Sequence, residues 1–568
     1  MNRPLNIGRI LFRICLIAVA VSSGIFQLIG SGNEASTGYD PVVFQLWDLP
    51  GIHFVTNSHR TPHKHQPETM VSGVAVFDFN NDGLLDIYAV NGATMPGLEK
   101  NHEVYYNRLF KNKGDGTFED VTEKAGVRGK GYNLGVAVGD YDNDGWADLF
   151  VAGLRENILY HNNGDGTFTD VTSKAGLALP DLEYKTLWSV AAAWVDYDKD
   201  GWLDLFVSNY CVWDPDKEPI CRDTGQPDYC HPRLYHGLPD SLFHNNHDGT
   251  FTDVSRASGI RKSIGKGMGI GVADFDGDGW PDLFVANDTS PNFLFRNLGN
   301  GTFSEIGVEA GVAYTDRGLA VSGMGVDAKD LDNDGRPDIF ETALVGETMP
   351  FFHNLGDHLF EDKTLVSTLA AATLSKTGWS NGAFDFNNDG WKDLFAAFGD
   401  VMDPAGTFKD RVPQHCGIFV NLKNGKFADA AATAGAEFLE RKAVHRGAAF
   451  GDIDNDGRID VVVTALDGPM VVWHNVSPAP NHWILISTTG SKSNRDGMGT
   501  KIKVVTDSGV QYNQVNTAVG YGCASDRRVH FGLGKDTLIK ELILTWPSGT
   551  VQKLENVKAD QIIALKEP

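Results

Sequence analysis

The sequence predicts an all-β protein, a seven-bladed β-propeller followed by a small β-rich C-terminal domain. Three observations carry that expectation. An acidic nine-residue loop recurs seven times along the 568 residues. Each copy sits between short apolar stretches with the pattern of half-buried or buried strands. The repeat stops after Pro478-Ala479-Pro480, and a different alternation of strands and turns fills the remainder. The expected boundaries are 41–480 for the propeller and 481–568 for the C-terminal domain. Glycine is abundant, 64 residues, as a chain dense in turns requires.

The repeat opens as DFNNDGLLD (78–86), DYDNDGWAD (140–148), DYDKDGWLD (196–204) and DFDGDGWPD (274–282). It continues as DLDNDGRPD (330–338), DFNNDGWKD (385–393) and DIDNDGRID (452–460). Stretches such as LGVAVGD precede the loop, and runs such as LFVAG or LFVSN follow it. Further on comes a hairpin signature, for example LFKNKGDGTFEDVTEKAGV (109–127) and LFHNNHDGTFTDVSRASGI (242–260). Each unit therefore reads strand, acidic loop, strand, connection, strand, turn, strand. Seven such four-stranded units make a propeller. The seventh unit ends at VVWHNV (471–476) without its last strand, and VVFQLWDLPGI (42–52) resembles the missing one. Pairing of that segment with residues 471–475 would close the ring and hide its open edges.

The loop places oxygen donors at positions 1, 3, 5 and 9. They are Asp78, Asn80, Asp82 and Asp86; Asp140, Asp142, Asp144 and Asp148; and Asp196, Asp198, Asp200 and Asp204. The later copies supply Asp274, Asp276, Asp278 and Asp282; Asp330, Asp332, Asp334 and Asp338; Asp385, Asn387, Asp389 and Asp393; and Asp452, Asp454, Asp456 and Asp460. An EF-hand would need a bidentate Glu at position 12 between helices. Here position 12 is Ala89, Val151, Val207, Val285, Glu341, Ala396 and Val463, and strands follow. Each loop is thus expected to be a strand-loop-strand Ca²⁺ site that closes within nine residues. Ca²⁺ accepts six to eight oxygens in flexible geometry, whereas Mg²⁺ gives up its water reluctantly. No His or Cys stands at these positions, which disfavours zinc and copper. Seven Ca²⁺ would offset 14 of the 25 net negative charges. The bland reading, that Asp, Asn and Gly simply form turns, does not account for four donors held through seven copies.

The acidic balance excludes a nucleic-acid binder. Arg3, Arg9 and Arg13 precede the apolar run Ile14–Gly30, so residues 1–30 are expected to be an export signal. The run has 17 residues, which leaves an uncleaved N-terminal anchor open as the alternative and as the only membrane contact. The rest of the chain is expected to work outside the cytoplasm. In that compartment a disulfide is expected in CVWDPDKEPICRDTGQPDYCHP, between Cys221 and Cys230, in preference to a thiolate metal site.

The C-terminal stretches HWILIST, GTKIKVV, RVHFGL and ELILTWPSG predict a separate sandwich or barrel, or a module packed on the propeller. Here the residues match a known family. The acidic loops with their GDGTFxDVT hairpins resemble FG-GAP/VCBS repeats, the propeller repeats of integrin α subunits. NRDGMGTKIKVVTDSGVQ, VHFGLG and LTWPSGTVQKLENVKADQ resemble the ASPIC/UnbV domain of the cartilage acidic protein family. The resemblance covers residues ~41–568. It implies a calcium-bearing, integrin-α-like extracellular propeller with the aspartates above as ligands. YGCASD (521–526) departs from the expected Ser/Gln-rich turn, which marks Cys523 for an unusual contact.

Two functions stay open on sequence. The first is an exported interaction or adhesion module for a protein or glycan partner, with Trp146, Trp202, Trp280 and Trp391 either forming a contact face or packing against blades. The second is an extracytoplasmic enzyme or biosynthetic accessory protein with a site near the propeller axis. The chain has no GxSxG, HExxH, P-loop or CxxCH motif. Its candidate for the second function is the segment 53–68, where His53, His59, His63, His65 and Glu68 could hold a transition metal. The bland reading of that segment is a solvated entry loop.

Overall fold

The computed structural model describes residues 38–568, apart from 72, 179, 180, 182, 224, 402–412 and 479. The expected signal or anchor at 1–30 lies outside the described residues. Among the described residues no helix is long and apolar enough to cross a membrane.

Each repeat folds as a four-stranded antiparallel meander; blade 3, for example, runs Ser189–Val195, Asp204–Asn209, Ser241–Asn245 and Phe251–Asp253. The innermost strands of the seven sheets are Val74–Phe77, Tyr132–Gly139, Ser189–Val195, Gly267–Ala273, Val326–Lys329, Gly378–Phe384 and His445–Gly451. Each packs against the next and the seventh returns to the first, so the sheets form a closed ring around an axis. Small residues make that convergence possible, as in SVAAAWV and GMGIGVA, where every position is buried. Phe44–Leu46 supplies the outer strand of the last sheet, with Phe44 opposite Asn475 and Leu46 opposite Trp473. The propeller is thus closed by its own N-terminal strand, as the sequence predicts, and no blade edge is left open there.

One asparagine per blade ties the ring together. At the end of each third strand, Asn112, Asn162, Asn245, Asn297, Asn354, Asn421 and Asn475 donate through Nδ2 to the carbonyl at loop position 2 of the preceding blade. The same amides also donate to the position-8 carbonyl of their own blade. All seven side chains are buried, so each bond replaces water at a carbonyl that would otherwise be unpaired.

The meander puts the acidic loops and outer hairpins at one end of the ring, and the longer connections at the other. The C-terminal residues cover the acidic end. They form a three-stranded sheet around His482–Thr489 and a four-stranded sheet of Lys501–Val505, Val510–Gln514, Leu538–Thr545 and Val551–Lys558. Of the two arrangements expected for this segment, the structure has the packed one. Ile484, Ile502, Phe531 and Trp546 share one continuous apolar cluster with Tyr141, Phe150 and Trp194 of blades 2 and 3.

Residues 514–526 go further and enter the axial channel. Ala524 pairs in parallel with Ala75 of blade 1, and Gly522 accepts from Val136 N of blade 2 at 3.0 Å. Gln514 Nε2 donates to Val272 O of blade 4, and Gly520 exchanges two backbone bonds with Val326 of blade 5. Tyr521 N donates to Ser380 Oγ of blade 6, and Asp526 N to Phe450 O of blade 7. Tyr521 then reaches through the ring, its hydroxyl 2.8 Å from Met70 O. The channel is filled by a plug. Cys523, marked in the sequence for an unusual contact, is a buried free thiol in this plug that donates to Tyr521 O.

Candidate metal centres

The loop geometry follows from position 1. In every copy its carboxylate accepts the backbone N–H of the position-6 glycine, at 2.7–3.2 Å. That glycine has φ between +84° and +94°, where a side chain would be strained. The position-5 carboxylate accepts the position-7 N–H. Position 9 is the most enclosed: Asp86, Asp148, Asp204, Asp282, Asp338, Asp393 and Asp460 are all buried. One of its oxygens accepts the position-2 N–H. The other accepts the N–H of the ring asparagine. Positions 1, 5 and 9 of every loop are thus tied to the backbone of the same short turn.

These carboxylates are costly without a counter-charge. Burial pushes Asp86, Asp196, Asp282 and Asp452 up to about 8, with neighbouring loop carboxylates adding to the rise. Asp148 and Asp204 rise to about 7 for the same first reason. Four buried oxygens at positions 1 and 3, Asp142 Oδ1, Asp196 Oδ1, Asp198 Oδ1 and Asp274 Oδ1, have no hydrogen-bond partner. Orphaned oxygens beside like charges are what an oxygen-preferring divalent cation satisfies, so the residues fit Ca²⁺.

The loops are not equivalent, and the structure adds a group that the loop positions themselves do not contain. In six of the seven blades the residue before the ring asparagine reaches a loop carboxylate. It is histidine in four blades, and His161, His244, His353 and His474 each lie with the position-3 and position-5 aspartates in a group able to hold a metal. Their Nδ1 atoms stand 3.0–3.4 Å from the position-9 carboxylate. That carboxylate holds the His161, His244 and His353 imidazoles above their ordinary value. So imidazole does stand within reach of the ligand positions. The signal was present as the dipeptide HN in YHN, FHN, FHN and WHN. In blade 1 the place is taken by Lys111, 3.3 Å from Asp82, and in blade 4 by Arg296, 3.1 Å from Asp276. Blade 6 has the apolar Val420.

The tryptophans at position 7 divide their surface differently from a free contact face. Trp146 lies against Gly164 and Trp280 against Gly299 of their own outer hairpins, and Trp202 stacks on His247 at 4.8 Å.

At the opposite end the structure rearranges the histidine-rich segment. Glu68 accepts from Thr61 N, Thr61 Oγ1, His65 N and Tyr229 OH and lies outside the group that His63 and His65 join. His59 turns to the Tyr105 hydroxyl. His63 and His65 instead meet Glu218, from the blade 3 insertion that carries the Cys221–Cys230 disulfide. His53 and His59 are not in this group.

Comparison with known proteins agrees with the repeat reading. FG-GAP-like repeats match residues 78–151, 141–207, 234–285 and 274–341, and the ASPIC and UnbV family matches 490–568. Cartilage acidic protein 1 of Mus musculus is 24% identical over 519 residues, 87% of this chain and 73% of the mouse protein. The Homo sapiens protein of that name is 24% identical over 543 residues, 90% and 75% of the two chains. Among solved structures, an Agrocybe aegerita lectin described for its recognition of non-reducing terminal N-acetylglucosamine covers 76% of this chain and 97% of its own. Its sequence identity is 17% and its TM-score 0.41. The chain carries FG-GAP-like repeats and a C-terminal ASPIC/UnbV domain, and it is similar to the cartilage acidic proteins along most of its length.

Proposed function

We propose that this protein is an exported, calcium-bearing β-propeller that serves as an interaction or adhesion module for a protein or glycan partner. One observation carries the reading. With the acidic end covered by the C-terminal sheets, large exposed apolar side chains stand at the connection end. Val104, Val212, Ile220, Leu234, Ile264 and Leu319 are all at least 42% exposed there. Connections between rigid elements carry binding residues disproportionately, and the apolar groups on them would supply such a surface with its contacts. Ca²⁺ in this reading is a fastener: it joins the two ends of each acidic turn and takes no part in the contact. Export rests on the sequence of residues 1–30 and on the disulfide.

Elemental analysis tests the metal and array binding tests the surface. The purified protein is expected to hold calcium at up to seven equivalents per chain, and no calcium at all would sink the reading. Ile220→Asp with Leu234→Asp is expected to abolish binding to arrayed extracellular proteins or glycans while leaving calcium content unchanged. The second function, an extracytoplasmic enzyme or accessory protein, is favoured by one observation: the meeting of His63 and His65 with Glu218.

A further inference from the structure

The connection end holds a group of side chains that the calcium loops do not explain. His63, His65 and Glu218 each present a ligand atom, and the three atoms lie within 4.8 Å of one another. The rings of His63 and His65 are 4.4 Å apart. The side chains of His65 and Glu218 are 7% and 1% exposed. Glu218 is held by four donors: His65 Nδ1 at 2.5 Å, Trp213 Nε1 at 2.8 Å, Gln66 N at 2.8 Å and Tyr235 OH at 2.9 Å. It is the residue of this group least free to move.

A proton on His65 would satisfy its bond to Glu218 and leave the rest unexplained. His63 Nε2 is buried and has no hydrogen-bond partner. Among the described residues no protein donor or acceptor answers it, while a metal ion in place of the proton that His65 Nδ1 shares with Glu218 would engage both imidazoles and the carboxylate together. Two nitrogens and one oxygen form a donor set of intermediate softness, suited to zinc and unsuited to calcium, which takes oxygen. The nearby cysteines Cys221 and Cys230 are joined to each other and offer no thiolate.

We propose that His63, His65 and Glu218 form a zinc-class divalent metal site that pins the disulfide-bearing blade 3 insertion to the histidine-rich segment. Three protein donors leave a tetrahedral ion one position for water or a ligand, the stoichiometry of catalytic zinc. The site stands beside the closed mouth of the channel. There Gln66, Thr69 and Met70 face Tyr229, Cys230 and His231 across a cavity of about 40 Å³.

The test uses the full exported chain, stripped by chelation and then saturated with calcium so that the acidic loops are filled. Zinc is added and bound metal counted by mass spectrometry, with Co²⁺ as a spectroscopic substitute. One zinc per chain is expected to remain in excess calcium, and Co²⁺ is expected to give the visible bands of a nitrogen-containing site. His63→Ala and Glu218→Gln should each weaken zinc at least tenfold with calcium content unchanged, while His161→Ala, in an acidic loop, should not. Should either variant fail to fold, the native protein still decides the matter. A native chain that shows no Co²⁺ bands, or that gives up all its zinc to calcium, overturns the site. So does unchanged zinc affinity in folded His63→Ala. None of these outcomes alters the calcium count, so failure here is distinct from failure of the calcium-fastener reading.

Discussion

Position 9 of the acidic loop is aspartate in all seven copies for a reason beyond charge. Its two oxygens take the N–H of position 2 and the N–H of the ring asparagine, so it binds the loop to the third strand before any ion arrives. Among the loop carboxylates, buried oxygens without a partner remain at positions 1 and 3. This division gives a pH prediction. In the cation-free chain burial pushes Asp86, Asp196, Asp282 and Asp452 up to about 8. A carboxyl raised in the folded state favours folding when protonated. Its contribution is complete below the ordinary carboxylate value, about 4, and is lost as pH rises through about 8. The chelated protein should therefore lose stability between about pH 4 and 8, while a cation, favouring the ionised form, offsets that loss. The drop in Tm on adding chelator is expected to be larger at pH 8 than at pH 5. Equal drops at the two pH values would show that these carboxylates are not the groups the ion relieves.

Among the blades, the unit of cohesion is the asparagine at the end of each third strand. Asn245 Nδ2 serves Tyr141 O of blade 2 and Leu203 O of blade 3, at 2.8 and 2.9 Å. Asn245→Ala removes both bonds and leaves two enclosed carbonyls without a donor, at a cost of about 1–3 kcal/mol. Denaturant unfolding of the calcium-loaded protein should show this loss. Asn246→Ala, one residue further and on the outer turn, should cost far less. The hairpin patterns announced these strands accurately because alternation and glycine turns are local properties. They could not show that the asparagine amide bonds to a different blade, since Asn245 and Tyr141 are 104 residues apart.

In the whole molecule, the C-terminal domain acts as lid and stopper for the ring. Gly520 is where the stopper turns, with φ +75°, and a Cβ there would lie 2.0 Å from Ser380 Oγ. Gly520→Ala is expected to cost about 1–3 kcal/mol through strain and displacement of that contact. Limited proteolysis should then cut within 514–526, where the native chain is expected to resist. Resistance equal to the native chain's would mean the plug tolerates the change. The lid also touches the acidic turns. Arg495 N donates to Asn143 Oδ1, Lys392 Nζ to Tyr512 O, and Arg528 Nη2 to Asp452 O. Loss of the cations should thus loosen the lid as well as the blades.

Sequence alone determined the number of repeats, the order of strands within each, the acidic turn of each and the strand that closes the ring. All of these rest on residues near one another in the chain, or on repetition, which turns a weak local pattern into a strong one. Tertiary structure decided what depends on distant segments meeting. It brought four histidines over the loops, carried Glu218 to His63 and to His65, the latter 153 residues away, and threaded 514–526 through the axis. The physical reason is the ring itself. Closing it places side chains from far-separated repeats around one axis, and the contacts made there are chosen by packing and unpaired polar atoms, which no local pattern records.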